Sequence, residues 1–568
     1  MIATGWGLPS VVFAAIAASG AAAELPVSAC SNPLPRWIGA ILSDGGLATY
    51  REAVVDGESL YVVGDFGGAM DLDPTPGVDF FTGQAPSPRE DLLLTKLTSA
   101  GSYIWTRTLP LVLDERRYGV AVGTDGRVLV GASFPGTIDF DPGPGVDERT
   151  AVSDRDCFFT AFSADGEYLG TVVFGTGGED NYCRAQGIEV DKDDNVVIAG
   201  RFRGPVDFNP GEEVDSHAGH SNGPDAFVSK FGSDGSYLWT RSWGGSGFDT
   251  SRSVAVNESG DVFVGGEFRG TIDFDPGPGQ DLHTATIPGA TSITKYLGNG
   301  SYAWTRVYQI VPFGEVPLAI DGDGNVWTAG GFDNSFNNLV VDFDPTAGMD
   351  LVLPDAHDQI FVTGLSTDGA YLGKWIMPGV GPLESGAKGI AIDTEGGILV
   401  TGEFAGDTDF DPGAALDVRS SNNDGLDFFL TRLGPGGSHH WTRTFGSDHA
   451  ESGRGIAPLP DGIVVIGTVR TRPTDLDVGC AQMPFGENDG ATDTFIMRMV
   501  CMEASADADD SGAVDLLDFA EFGQCFSGSA EPGLPVVCPS GCYNFDFDHD
   551  DDIDLPDHAD FLTHFAGP

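Results

Sequence analysis

One phrase returns along this chain at an almost constant interval, and that interval constrains the fold more than any other feature. It reads "MDLDPTPGVD" from Met70, "IDFDPGPGVD" from Ile138, "VDFNPGEEVD" from Val206, "IDFDPGPGQD" from Ile272, "VDFDPTAGMD" from Val341 and "TDFDPGAALD" from Thr408. A worn seventh copy, "TDLDVG", starts at Thr474. The leading aspartates are Asp71, Asp139, Asp207, Asp273, Asp342, Asp409 and Asp475, so the steps are 68, 68, 66, 69, 67 and 66 residues. This is a sevenfold internal repeat.

Each repeat carries four apolar phrases whose alternation has the period of two of β-strands rather than the 3.6 of helices. In the fourth copy they are "RSVAVNESG", "DVFVGGEF", "SITKYLG" and "SYAWTRV". Four antiparallel strands repeated seven times describe the blades of a β-propeller. The period exceeds the usual blade length of about 40 to 50 residues because about 20 extra residues, the aspartate phrase among them, separate the second and third strands. The seventh copy stops after its third strand, "DTFIMRMV" (Asp493 to Val500). "WIGAILSD" (Trp37 to Asp44) matches "WTRTFGSD" (Trp441 to Asp448) and supplies the missing fourth strand. The N-terminal segment therefore closes the last blade and leaves no open sheet edge. The expected fold is mainly β: a seven-bladed β-propeller of four-stranded blades closed by the N-terminal strand, plus a small α-helical module in residues 503–568.

On these residues the chain resembles the SBBP-type repeat, a seven-bladed β-propeller family of secreted bacterial proteins. "GGSGFDTSRSVAVNESGDVFVGGEF" (Gly244 to Phe268) carries the resemblance most fully, and it extends over about residues 35 to 501. It implies a fold and an exported location but no particular chemistry.

Composition agrees with a loop-rich exported protein. The 85 acidic and 29 basic side chains give a formal charge of −56, which repels phosphate backbones and anionic membranes and attracts divalent cations. Nucleic acid is excluded as a natural partner. Residues 1–23 read as a signal peptide, with the apolar run "VVFAAIAASGAAA" and cleavage after Ala23, although "MIATGWG" lacks a basic residue. A lipoprotein reading at Cys30 is disfavoured by Glu24 and Pro26. No other segment is suited to span a bilayer, so the expected location is secreted or cell-surface.

Eight cysteines remain after that cleavage, an even number that favours disulfides in an exported chain. Cys30 precedes the closing strand and Cys501 follows the third strand of the last blade, so antiparallel pairing predicts a Cys30–Cys501 bond. Cys157 and Cys183 are placed to pair between the second and third blades. Cys480, Cys525, Cys538 and Cys542 are unassigned, with one pair expected within the last three.

The propeller spans 24–502, and the remaining residues, 503–568, change character. "DADDSGAVDLLDF" sets Asp507, Asp509, Ser511, Ala513 (through its carbonyl), Asp515 and Asp518 at loop positions 1, 3, 5, 7, 9 and 12, with Gly512 at the turn. "DFDHDDDIDLPDH" repeats the frame with Asp546, Asp548, Asp550, Asp552, Asp554 and Asp557. That spacing wraps six or more oxygens around one Ca2+. Two such loops, each followed by a short amphipathic helix, resemble a type I dockerin, which implies tethering to a cohesin-like extracellular protein. Asp551 stands where the second loop would have glycine. Leu516 and Leu517, and Leu555 and Pro556, replace the small hydroxyl residues of a dockerin's recognition positions.

Two readings of the blade aspartates stand side by side. Residues i and i+2 of an extended chain face the same way, so Asp71, Asp73 and Asp79 can converge on calcium, as can Asp139, Asp141 and Asp147. The same holds for Asp207, Asn209 and Asp215, for Asp273, Asp275 and Asp281, for Asp342, Asp344 and Asp350, and for Asp409, Asp411 and Asp417. The Pro-Gly that follows suits a type II turn with glycine at φ > 0, which returns the third aspartate to the pair. Alternatively, aspartate before Pro-Gly simply caps the turn through its own backbone. No nucleophile elbow, zinc-helix motif or phosphate loop is present. "HAGH" (His217 to His220) reads as a polar loop, and Trp105, Trp239, Trp304 and Trp441 as packing between blades. The expected function is that of an exported, non-enzymatic binding or scaffold protein with a monomeric propeller. The alternative is a propeller enzyme acting on extracellular carbohydrate, with a glycan as ligand.

Overall fold

A computed structural model describes residues 34–502, apart from 471–491 and shorter breaks at 42–46, 76, 84–89, 114–116, 176–177, 221–222, 312–314, 333–339, 354–358, 382–384, 414, 423–424 and 447–449. Of residues 1–33 it describes only Ala14–Ala15 and Glu24–Leu25. The paired loops of 503–568, Cys30, Cys480 and the seventh aspartate phrase lie outside the described residues.

The alternating phrases become strands where they were expected. In the fourth repeat, Thr250–Val256, Val262–Phe268, Ala290–Tyr296 and Tyr302–Tyr308 form one antiparallel sheet in chain order. Three further four-stranded sheets share this order, and their first strands are Leu47–Asp56, Leu318–Ile320 and Gly386–Ile392.

Seven separate four-stranded sheets, however, are not what the hydrogen bonding gives. Eight of the strands between Gly119 and Trp243 form one sheet, because Ser153–Phe162 also pairs in parallel with Gly178–Val190 through Ser153↔Gly178 and Arg155↔Tyr182. The last sheet has six strands. Glu451–Leu459, Gly462–Arg470 and Thr492–Met502 are joined by Leu34–Ile41, with Leu34 opposite Val500 and Ile41 opposite Thr494. The two-residue strand Ala14–Ala15 pairs with Leu34–Ile41 at its edge, and Glu24–Leu25 pairs with the end of Thr492–Met502.

The innermost strands make the arrangement propeller-like. Leu47–Asp56 contacts Gly119–Val122, and contacts then continue through Gly178–Val190, Thr250–Val256, Leu318–Ile320, Gly386–Ile392 and Glu451–Leu459 back to Leu47–Asp56. Tyr50 N–H donates to Thr494 Oγ1 at 3.0 Å and ties the first sheet to the last. No α-helix is present among the described residues.

Neighbouring sheets bury apolar side chains between them. Val228 and Trp239 of one sheet pack with Val264, Phe268 and Tyr296 of the next. The recurring Trp-Thr-Arg adds polar stitches across the same gap. Trp239 Nε1–H donates to the Gly298 carbonyl at 3.2 Å, and Arg241 Nε–H donates to the Gly300 carbonyl at 2.7 Å. Trp105 with Arg107, and Trp304 with Arg306, reach the following hairpin in the same way. Gly300 holds φ +80°, and a Cβ there would stand 2.8 Å from the Trp239 ring, so both conformation and close approach demand glycine. Trp105, Trp239, Trp304 and Trp441 are all buried, as packing residues between blades should be.

Cys157 and Cys183 form a disulfide between adjacent four-stranded halves of the large sheet, as their places in neighbouring repeats suggested.

Candidate functional site

Each aspartate phrase folds into a two-stranded hairpin of its own, such as Thr271–Asp273 with Leu282–Thr284. The leading carboxylate caps that hairpin. Asp273 Oδ1 accepts the N–H of Asp275 at 3.2 Å and of Asp281 at 2.8 Å. Asp71, Asp139, Asp207, Asp342 and Asp409 each accept the same pair of amides. Asp275 Oδ1 in turn accepts Gly277 N–H at 2.8 Å, and Asp73, Asp141, Asn209, Asp344 and Asp411 act alike.

The third carboxylate is held by a different partner. Tyr103, Tyr168, Tyr237 and Tyr302 donate to Asp79, Asp147, Asp215 and Asp281, and Tyr371 donates to Asp350 at 2.6 Å. In the sixth phrase His439 Nε2 takes the tyrosine's place, 3.2 Å from Asp417. Burial, then the carboxylate itself, pushes the Tyr302 phenol far above its ordinary range and keeps it a donor. The middle Phe274 is fully buried and packs edge-on against Phe268 at 5.1 Å. Among the described residues, no three or more His, Cys, Asp or Glu side chains form a group able to hold a metal ion.

The type II turn is corrected by the backbone. Gly277 and Gly279 both lie outside the left-handed region. A Cβ on Gly279 would instead fall 2.1 Å from Asp275 Oδ2, so close approach of the capping carboxylate is what requires glycine. The histidines of "HAGH" are engaged separately. His217, on a short strand, lies 2.7 Å from Ser242 Oγ, and His220 lies 2.8 Å from Asp225.

The strongest concentration of unspent polar chemistry lies on the ring axis, in residues the sequence reading did not single out. Five innermost strands skip one residue in their ladder, between Tyr50 and Glu52, Ala185 and Gly187, Ser251 and Ser253, Ala387 and Gly389, and Gly453 and Gly455. Such a bulge leaves its extra residue unpaired and re-aims the side chain. The extra residues are Arg51, Gln186, Arg252, Lys388 and Arg454, and all five line one cavity of about 350 Å³. Tyr118 with Arg117, and Glu315, line it from just ahead of the remaining two strands, Gly119–Val122 and Leu318–Ile320.

Most of these cations are paired. Arg252 meets Glu267 at 2.6 Å and Lys388 meets Glu403 at 2.5 Å. Arg51 lies 3.7 Å from Asp65 and 3.9 Å from Glu315, whose carboxylate also binds Arg117. Two groups stand apart. Arg454 has only the Thr468 hydroxyl, at 3.4 Å, and no carboxylate within ion-pair reach among the described residues. Gln186 is 6% exposed, and both polar atoms of its amide lack a hydrogen-bond partner among the described residues.

Two acids also line this cavity. Burial, reinforced by Glu189 and Glu315, pushes the Glu52 carboxyl up to about 8 even though it accepts Val120 N–H at 3.1 Å. Burial pushes Glu189 up to about 7. Near neutral pH both therefore carry less negative charge than ordinary glutamates. A signal for this site does exist in the sequence. Stacking the repeats puts Arg51, Gln186, Arg252, Lys388 and Arg454 in one column ahead of the inner-strand apolar run, four cations in a chain with a charge of −56.

No family model matches the chain. It is 26% identical over 231 residues to the regulatory protein FlaEY of Caulobacter vibrioides, a match covering 40% of this chain and 23% of that protein. The chain thus spans about a quarter of that relative's length. Among solved structures, a protein of unknown function from Bacteroides caccae aligns over 62% of this chain and 89% of its own, at 11% identity and a TM-score of 0.28. The extracellular domain of a hybrid two-component system from B. thetaiotaomicron aligns over 81% of this chain and 82% of its own, at 11% identity and a TM-score of 0.17.

Proposed function

We propose that this chain is an exported, non-enzymatic binding protein that takes a small ligand in the cavity on its ring axis. The carrying observation is the set of five bulges that bring polar side chains to one cavity. Ladder disruption repeated at one register is a device for presenting side chains rather than for strengthening sheets. In this reading the ring has seven blades. The cycle of innermost strands supports that number, with the eight-stranded sheet counted as two blades that share two bridges. The acidic hairpins form the rim, and the C-terminal loops around Asp507 and Asp546 bind Ca2+ and tether the propeller to an extracellular protein.

The test is a melting-temperature screen of the full chain against neutral sugars, small cations and small anions. A compound that raises the melting point of the native protein, and not of Gln186→Trp, which fills the cavity, supports the reading. Equal stabilisation of both variants would move the site off the axis. Calcium binding is tested separately by titrating the full chain and its Asp507→Ala/Asp546→Ala variant, with loss of the tightest sites expected.

The enzyme reading draws on Glu52 and Glu189, two carboxyls with raised pKa facing one cavity. Turnover of a glycoside that disappears in both Glu52→Gln and Glu189→Gln would establish it in place of simple binding.

A further inference from the structure

We infer that the axial cavity is a site for a small organic anion bearing carboxylate groups, held chiefly by Arg454 and Gln186. The inference rests on the axial binding reading and names its ligand class. Three observations carry it.

The first is Arg454, a cation facing the cavity with no carboxylate partner among the described residues. Burying an unpaired guanidinium is costly, and an incoming carboxylate would remove that cost through paired N–H···O bonds. The second is Gln186, nine-tenths buried, whose amide N–H and carbonyl find no hydrogen-bond partner among the described residues. It can donate to a carboxylate and accept from a ligand hydroxyl, so it suits a hydroxy acid or an acidic sugar. The third is Glu315. Its carboxylate lies in the same cavity against Arg117 and Arg51, so the chain's own carboxylate already demonstrates the recognition chemistry.

Charge and size narrow the class further. The muted acidity of Glu52 and Glu189 leaves the cations of the lining dominant at neutral pH. A volume of about 350 Å³ is at the small end for ligand sites and admits a tricarboxylate or one to two sugar rings. The same carboxylate chemistry is offered by a free acid and by the terminal residue of an acidic glycan.

The experiment is calorimetric titration of the full chain with citrate, galacturonate, a galacturonate oligomer and neutral galactose. Wild type, Arg454→Met, Gln186→Leu and Glu315→Gln are compared, and each variant's melting curve serves as the folding control. Binding of citrate or galacturonate, weakened about tenfold or more by Arg454→Met, is the expected result, as for loss of a charge-assisted hydrogen bond. Glu315→Gln should bind more tightly, because an internal competitor is removed, and this arm decides the matter if Arg454→Met fails to fold. Citrate binding alone would assign the site to a free acid, and tighter binding of the oligomer to a glycan end. Galactose binding as tightly as galacturonate, unchanged in Arg454→Met but lost in Gln186→Leu, would overturn the anion and leave the axial site standing. Failure of every probe to bind any variant would overturn the anion too. If the screen of neutral and cationic compounds were also empty, the axial reading would fall with it.

Discussion

Asp273 carries two jobs on one oxygen, since Oδ1 accepts both Asp275 N–H and Asp281 N–H and so closes an eight-residue loop without a regular turn. Hydrogen bonding of this kind needs an acceptor and not a charge, and the second position, where Asn209 makes the bond that Asp275 makes in the fourth phrase, shows the same. Asp273→Asn should therefore unfold in urea within a few tenths of a kcal/mol of wild type, and Asp273→Ala should lose about 1 to 2 kcal/mol. Gly300 makes a sharper demand. With φ at +80° and the Trp239 ring 2.8 Å from where a Cβ would stand, Gly300→Ala is expected to cost about 1 to 3 kcal/mol, read as a lower urea midpoint. At this scale the sequence was legible wherever the repeat forced identity. It was misleading at the Pro-Gly pairs, because proximity to a carboxylate and a positive φ select the same glycine and one sequence does not separate them.

At the scale of elements, strands and their order were readable from period-two alternation. The aspartate hairpins were not, because strands of two or three residues, such as Thr271–Asp273, are too short to show a period. Bulges were invisible for a related reason: one inserted residue shifts the register without changing composition. The Cys157–Cys183 bond joins strands of adjacent units across a separation of 26 residues, and Cys157→Ala/Cys183→Ala should destabilise the protein by about 3 kcal/mol in urea. The inner strand bearing Glu52 makes stability depend on pH. Its carboxyl sits near 4.5 ordinarily and is pushed up to about 8 by burial, then by Glu189 and Glu315. The folded state thus keeps a proton that the unfolded chain releases, so stability is fullest below about pH 4.5 and declines as pH rises toward 8. Glu52→Gln should flatten the melting temperature between pH 5 and 8, and an unchanged slope would place the lost stability elsewhere.

The whole molecule combines a strongly acidic composition with one cavity lined by Arg51, Arg117, Arg252, Lys388 and Arg454. Net charge is an average, and the charge of −56 hid the few cations that converge only when the ring closes. Closure itself was legible, because the N-terminal match to a fourth strand anticipated Leu34–Ile41 beside Thr492–Met502. Separateness of the blades was not, since parallel bridges between Ser153–Phe162 and Gly178–Val190 come from packing rather than pattern. On the proposed reading, binding belongs to the axis and not to the repeated aspartates. Hydrogen exchange of the full chain, with and without the best ligand from the screen, tests it most directly. The expected result is slowed exchange in peptides around Arg51, Gln186, Arg252, Lys388 and Arg454, with the hairpin from Asp273 to Asp281 unchanged. Protection confined to the aspartate hairpins would contradict it and return the binding function to the rim.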